Sequence, residues 1–273
     1  MPFFTRTTDK PRALHYIESG VAGHPVVLIH GFTNAGMAWM QQIAALTFAG
    51  HRAIVPDLYG HGLSDAATAV TTVDELAGDL IALLDHLGIE RATICGLSLG
   101  GMVALQLALD HPQRVDQLIV ANSQASFAMP ELGPIVDGWL ALFAQPDGPL
   151  KRFQATWPAM LNAAFRDSAA GRAAYNSWCR LAQRTSGTSL SQVVRGMRSF
   201  DVRDRLGQIA QPTLVIAGGE DKLFAPAAVR AISDAIPDAR FELISGAAHL
   251  SSLDSPDAFN RLLLGALGEC MDA

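Results

Sequence analysis

Cysteine is scarce in this chain. Cys95, Cys179 and Cys270 are spread over 273 residues, an odd number with no CxxC or metal-ligand spacing. That pattern argues against a disulfide framework or a metal centre and predicts reduced thiols in a cytoplasmic protein. Charged residues are also thin, at 17%, and the formal net charge of −6 offers no general attraction to nucleic acid or to an anionic membrane. No apolar run approaches the roughly 18 residues of a membrane span. The opening MPFFTRTTDK has neither an apolar core nor a small-residue cleavage site, so a soluble, unsecreted protein is expected. A G-x-G-x-x-G string is missing as well, which removes the usual dinucleotide signature. What the chain does have is 49% hydrophobic residues, enough for a large buried core.

Apolar patterning organises the rest. FFTRTTD and ALHYIES read as an antiparallel pair turning near Pro11. Residues 25–31, 52–57, 92–97 and 117–123 are short, near-continuous apolar runs, as expected of strands covered on both faces of a parallel sheet. Thr72 to Leu87 is the clearest helix: Val73, Leu76, Leu80, Leu83, Leu84 and Leu87 share one face, Thr72 and Glu75 form a capping box, and Gly88 ends it. Strands and helices alternating through short links imply right-handed crossovers and a doubly wound sheet. From about 124 to 206 that rhythm stops. No strand pattern is visible there, and Trp139, Phe143, Phe153, Trp157, Tyr175 and Trp178 recur with helical spacing. Alternation resumes at 212–221, with a helix near 226–236, a strand at 240–245 and a closing helix from Pro256 to about Leu267. The simplest organisation is one α/β core, residues 1–123 and 207–273, interrupted by a helical insertion at 124–206.

Within the core, TICGLSLGG (93–101) sets one serine among glycines between a strand-like run and a helical one. A G-x-S-x-G string alone arises by chance in about one chain in ten of this length, so the context carries the weight. A strand, a tight turn at the serine and a helix form a nucleophile elbow. In such a turn Ser98 takes a strained backbone conformation with positive φ, and glycine is needed at 96 and 100 to avoid the neighbouring backbone. Gly101 lets the helix approach the sheet. The hydroxyl then stands at the sheet's carboxyl edge, at a helix N-terminus that favours negative charge.

A serine hydroxyl reacts at neutral pH only beside a base that an acid orients. Of eight histidines, His249 in ISGAAHLSS follows the last strand and lies at the same edge. Asp221, ending the strand before it in LVIAGGED, is the expected acid, with Glu220 and Asp254 as rivals. A base that must start without its proton makes activity rise with pH. The backbone N–H groups of Phe32, in VLIHGF, and of Leu99 are placed to form an oxyanion hole. His30 is expected to hydrogen-bond its own loop, and Asp57 and His61 in PDLYGHGLSD to hold a turn; none of the three is expected to do chemistry.

These stretches, together with GAAHLSSLDSP (246–256), resemble the α/β-hydrolase superfamily over nearly the whole chain. Within it, GLSLGGMVALQLAL and AAHLSSLDSPDAFN are most similar to the 3-oxoadipate enol-lactonases, which open a small anionic lactone. The chain departs from that subgroup at HGF, which is widespread among esterases and C–C bond hydrolases. The resemblance implies a mostly parallel eight-stranded sheet with helices on both faces, an inserted helical cap, a Ser98–His249–Asp221 triad, and no cofactor or metal. It also implies an acyl-enzyme on Ser98 and a small ester or lactone as substrate. C–C cleavage of ring-cleavage products and haloperoxidase-type perhydrolysis are the alternatives on the same triad, and a ligand receptor built on this scaffold is the non-enzymatic one. Nothing in the sequence sets the oligomeric state.

Residues 124–200 hold eight basic residues against four acidic ones, a surplus of +4 in a chain whose total is −6. A cationic, aromatic lid over an anionic body would favour a carboxylate-bearing substrate. At least one of the eight, which include Arg152, is expected to face the pocket and bind it; Arg180 is singled out, with its neighbour Trp178 as a further substrate contact.

Overall fold

A computed structural model describes residues 2–7, 11–20 and 22–271 of the protein, with side chains described as far as residue 268. The side chain of Cys270 therefore lies outside the described residues; Cys95 and Cys179 are free thiols. Eight strands form one sheet: β1 (Phe3–Arg6), β2 (Arg12–Ser19), β3 (Pro25–Ile29), β4 (Arg52–Pro56), β5 (Ala92–Leu97), β6 (Val115–Ala121), β7 (Thr213–Gly218) and β8 (Ala239–Ile244). Their spatial order is β1-β2-β4-β3-β5-β6-β7-β8. β1 and β2 run antiparallel, with Phe3 opposite His15 and Arg6 opposite Arg12, and β2 is antiparallel to β4; every other pairing is parallel.

Around the sheet lie α1 (Met40–Phe48), α2 (Val73–His86) and α3 (Leu99–Asp110), then α4 (Gly133–Phe143), α5 (Gly148–Met160), α6 (Ala163–Asp167), α7 (Ala169–Arg184) and α8 (Gly187–Met197). After β7 come α9 (Pro226–Ala235), the short α10 (Ser251–Asp254) and α11 (Pro256–Met271). The expected capping box opens α2, with the Thr72 N–H donating to Glu75 Oε2 at 3.1 Å.

The unbroken apolar runs have the cause anticipated for a sheet covered twice. Alternate side chains of each strand enter opposite cores. Val27 and Ile29 of β3 pack with Leu76, Leu80 and Leu83 of α2 and with α3, whereas Val26 and Leu28 pack with Ile43 and Leu46 of α1 and Phe259 and Leu263 of α11. In β7, Val215 and Ala217 divide from Leu214 and Ile216 in the same way. The segment between β6 and β7 is helical, α4 to α8, and its sole pairing among the described residues is an isolated bridge between Ser126 and Asp201.

Candidate active site

β3 and β5 are neighbours in the sheet although β4 lies between them in the chain. At such a reversal, the loops leaving the two strands diverge and open a crevice beyond their carboxyl ends. The loop after β3 carries Gly31 and Phe32; the turn after β5 carries Ser98. The two meet, because a Cβ on Gly31 would stand 3.2 Å from Ser98 Cβ.

Ser98 has φ 57° and ψ −119°, a strained conformation for an L-residue that costs on the order of 1–3 kcal/mol. Glycines make the turn possible. A Cβ on Gly96 would lie 2.0 Å from the Gly100 carbonyl oxygen, one on Gly100 would lie 2.1 Å from that of Ile29, and one on Gly101 would lie 2.5 Å from Ser123 Cβ. The strained residue is tied on both sides. Its N–H donates to the Ala121 carbonyl at 3.0 Å, and its own carbonyl accepts from the Gly101 and Met102 N–H groups and from Ser123 Oγ at 2.7 Å.

His249 is 2% exposed, and its Nδ1 donates to Asp221 Oδ2 at 2.9 Å. An ionised carboxylate only accepts, so the proton sits on Nδ1 and the lone pair is left on Nε2. Phe224 lies edge-on to the imidazole, 5.2 Å between ring centres. Asp221 is also buried. Its Oδ1 accepts from the Leu223 and Phe224 N–H groups at 2.8 and 3.0 Å, and Oδ2 takes a second donor, Asn122 Nδ2, at 3.1 Å. Burial alone would raise the Asp221 pKa; the bond and charge of His249, with the Phe224 and Asn122 donors, outweigh it and hold the carboxyl below its ordinary range.

The rival acids have other environments. Glu220 is exposed. Asp254 accepts the N–H groups of Ala248 and Asn162 on Oδ2, each at 2.9 Å, and so ties the loop of His249 to the segment after α5. Desolvation raises the Asp254 pKa. His30 bridges its own loop, Nδ1 donating to the Gly31 carbonyl at 2.8 Å and Nε2 accepting the Leu58 N–H at 3.0 Å. Asp57 accepts from the Gly36 and Leu63 N–H groups and from His15 Nδ1, and so holds its turn. His61 lies against the rings of His30 and Phe32, and burial pushes its pKa down to about 3.

Ser98, His249 and Phe32 line a single cavity of about 90 Å³. Its other walls are mainly apolar, supplied by Trp139 of α4, Met160 of α5, Met197 of α8 and Phe224 among others. Leu99 opens α3 directly behind Ser98, and the first N–H groups of a helix have no partner within it. Trp178 and Arg180, expected to bind substrate, are not brought to this cavity. Trp178 packs against Trp157 and Phe153 in the core beneath α5 and α7, and Arg180 is exposed. The reason is helical geometry: residues two apart on a helix do not share a face, so burying Trp178 turns Arg180 to solvent.

Two residues at the site were not singled out by the sequence reading. Asn122, the first residue after β6, has φ 46°, donates to Asp221 and to the Ala248 carbonyl at 3.2 Å, and accepts from Ser251 Oγ at 2.6 Å. The available signal was an asparagine ending an apolar strand, since asparagine tolerates positive φ. Arg152, on α5, reaches the cavity that Arg180 does not. It lies one helical turn beyond Pro149, which is likewise buried, so helical periodicity could have marked it.

A strained serine beyond a parallel strand, sharing a cavity with a histidine that a buried carboxylate orients, defines a hydrolase-type site on a doubly wound sheet. Residues 24–256 match the family described as the alpha/beta hydrolase fold, and the chain belongs to that family. It is similar to 3-oxoadipate enol-lactonase 2 of Acinetobacter baylyi, 33% identical over 270 residues that span 93% of this chain and 92% of the relative. It is also similar to the RutD protein of Variovorax paradoxus, which is named as a carbamate hydrolase, 32% identical over 256 residues, 93% of this chain and 96% of the relative. The solved enol-lactonase of Burkholderia xenovorans LB400 superposes with a TM-score of 0.87 at 27% identity, covering 94% of this chain and 97% of its own.

Proposed function

We propose that the protein hydrolyses a small carboxylic ester or lactone through an acyl-enzyme on Ser98. The observation that carries this reading is the placement of Ser98 on a strained turn in the same cavity as His249, whose Nδ1 is bound to buried Asp221. His249 Nε2 takes the Ser98 proton as Oγ attacks the carbonyl carbon, and Asp221 stabilises the imidazolium that results. The N–H groups of Phe32 and Leu99 receive the oxyanion. Losing one such donor costs about a hundred- to a thousandfold in rate. His249 then returns the proton to the leaving alkoxide and takes one from the water that frees the acid.

Residues 124–206 act in this reading as a cap on the core formed by 1–123 and 207–273, because α4, α5 and α8 supply the wall facing Ser98. The enol-lactonase relatives support a lactone or ester as the bond cleaved, and the relative named as a carbamate hydrolase makes a carbamate the comparison substrate. Free Cys95 and Cys179 suit a cytoplasmic enzyme, and among the described residues no helix is long and apolar enough to cross a membrane.

The test is a panel of short esters, an enol-lactone, a carbamate and a ring-cleavage dienone, with and without peroxide, run beside Ser98→Ala as the blank. Turnover of the ester or lactone that vanishes in Ser98→Ala is expected. Turnover of the dienone alone, or of no member of the panel, refutes the reading.

A further inference from the structure

Arg12 and Arg152 are both 6% exposed, yet their charges are met in opposite ways. Arg12 lies among carboxylates: Nη1 donates to Asp79 at 2.9 Å and Nη2 to Glu75 at 3.4 Å. Arg152 forms no ion pair with a carboxylate among the described residues. Its Nη1 donates to Thr33 Oγ1 at 3.1 Å, and its guanidinium carbon stands 4.2 Å from the centre of the Trp139 ring and 5.2 Å from that of Phe32. Its Nε is buried without a partner.

A cation–π contact and one hydroxyl recover only part of what a guanidinium loses on leaving water. Among Trp139 and Phe32 a methionine of similar reach would fill the same space at no electrostatic cost, so packing alone does not account for an arginine. Burial without an anion lowers its pKa to about 10, which still leaves it charged at neutral pH. Nε belongs to an edge of the guanidinium that binds carboxylates through two parallel hydrogen bonds. The same cavity holds Ser98 and His249.

We propose that Arg152 is a specificity-determining residue that binds a carboxylate on the substrate, away from the bond being cleaved, so that the site selects short carboxylate-bearing esters or lactones. The proposal rests on the hydrolase reading above. A cavity of about 90 Å³ keeps the spacer between carboxylate and carbonyl short. Where that carboxylate sits on the acyl side of the ester, or on the ring of a lactone, the product released carries two carboxylates, so the enzyme delivers a dicarboxylate to whichever reaction follows.

The experiment compares monomethyl glutarate with methyl 5-oxohexanoate, its neutral counterpart of equal chain length, by acid release in a pH-stat. Wild type is expected to favour the anionic ester. In Arg152→Met the ratio of the two kcat/KM values should fall about a hundredfold, as for loss of a buried charge-assisted contact. Arg152→Lys should fall between the two, because it keeps the charge and loses the fork. A ratio in Arg152→Met within about threefold of wild type overturns the proposal. Should Arg152→Met fail to fold, Arg152→Lys and Arg152→Gln supply the same ratio. If wild type cleaves neither ester, calorimetry with glutarate and glutaramide decides independently of turnover. Glutarate binding to wild type that is lost in Arg152→Gln supports the carboxylate site even though the hydrolase reading has failed. No glutarate binding, or equal binding to both proteins, overturns it.

Discussion

Asn122 offers the sharpest test of how the site is held, because it touches the acid and the histidine loop without touching the cavity. Asn122→Ala removes the Nδ2 bond to Asp221 Oδ2, the bond to the Ala248 carbonyl and the acceptor for Ser251 Oγ. A hydrogen bond to a charged group contributes about 1.5–3 kcal/mol, and a buried polar group left unpaired costs about 1–3 kcal/mol. Together these give a destabilisation of about 4 kcal/mol, which in a domain of this size lowers Tm by roughly 10 °C. Asn122→Gly loses the same bonds but relieves the positive φ of 46°, so it should recover about 1 kcal/mol relative to alanine. Asp221 would then hold the imidazole with one orienting donor fewer. Since the Asp221 charge matters most once His249 is protonated, kcat should fall about ten- to a hundredfold while KM stays near its wild-type value. Calorimetric melting and steady-state kinetics on whichever ester the panel identifies give both readings. An Asn122→Gly enzyme with wild-type kcat, or one whose loss lies wholly in KM, would refute Asn122 as a positioning residue for Asp221.

Other consequences follow from the same geometry. Ser98→Gly should fold more stably than Ser98→Ala by about 1 kcal/mol, since only glycine relaxes at φ 57°; equal unfolding midpoints in denaturant would contradict the strained turn. Gly100→Ala drives a methyl to within 2.1 Å of the Ile29 carbonyl. It should cost about 3 kcal/mol or more and open the elbow, so a soluble, fully active variant would count against the assigned packing. Asp221 titrates below its unfolded value, so its contribution to stability is complete above about pH 4 and is lost as pH falls through the lower folded value. Denaturant unfolding between about pH 5 and pH 2 should therefore show wild type losing more stability than Asp221→Asn, and parallel curves would contradict the lowered Asp221 pKa.

Much of this arrangement was legible because it is local. The alternation of Val26, Val27, Leu28 and Ile29 between two cores is a matter of adjacent residues. So is the glycine spacing around Ser98, where each missing Cβ would meet backbone or a neighbouring strand-end side chain. Position at strand ends was enough to bring Ser98, Phe32, Asp221 and His249 to one edge of the sheet, since a parallel sheet has only one carboxyl edge. What stayed hidden depends on contacts between distant segments. Asn122 and Asp221 lie 99 residues apart in sequence, and no periodicity links them. Asp254 accepts two backbone N–H groups, whereas Asp221 accepts the His249 imidazole and Asn122 besides two backbone N–H groups of its own. In the helical segment, composition showed that cations were in excess. Which one reaches the cavity follows from distant contacts: Arg152 on α5 is buried against Trp139 of α4 and Phe32, whereas burial of Trp178 on α7 turns Arg180 outward.

Trapping the acyl group decides the central claim most directly. An activated short ester is mixed with enzyme, quenched in acid within the first turnover, and the peptides are analysed by mass. The account predicts one acylated peptide, modified at Ser98, absent from Ser98→Ala and strongly reduced in His249→Ala. Ester turnover with no covalent adduct, or acylation at another residue with Ser98→Ala still active, would contradict it.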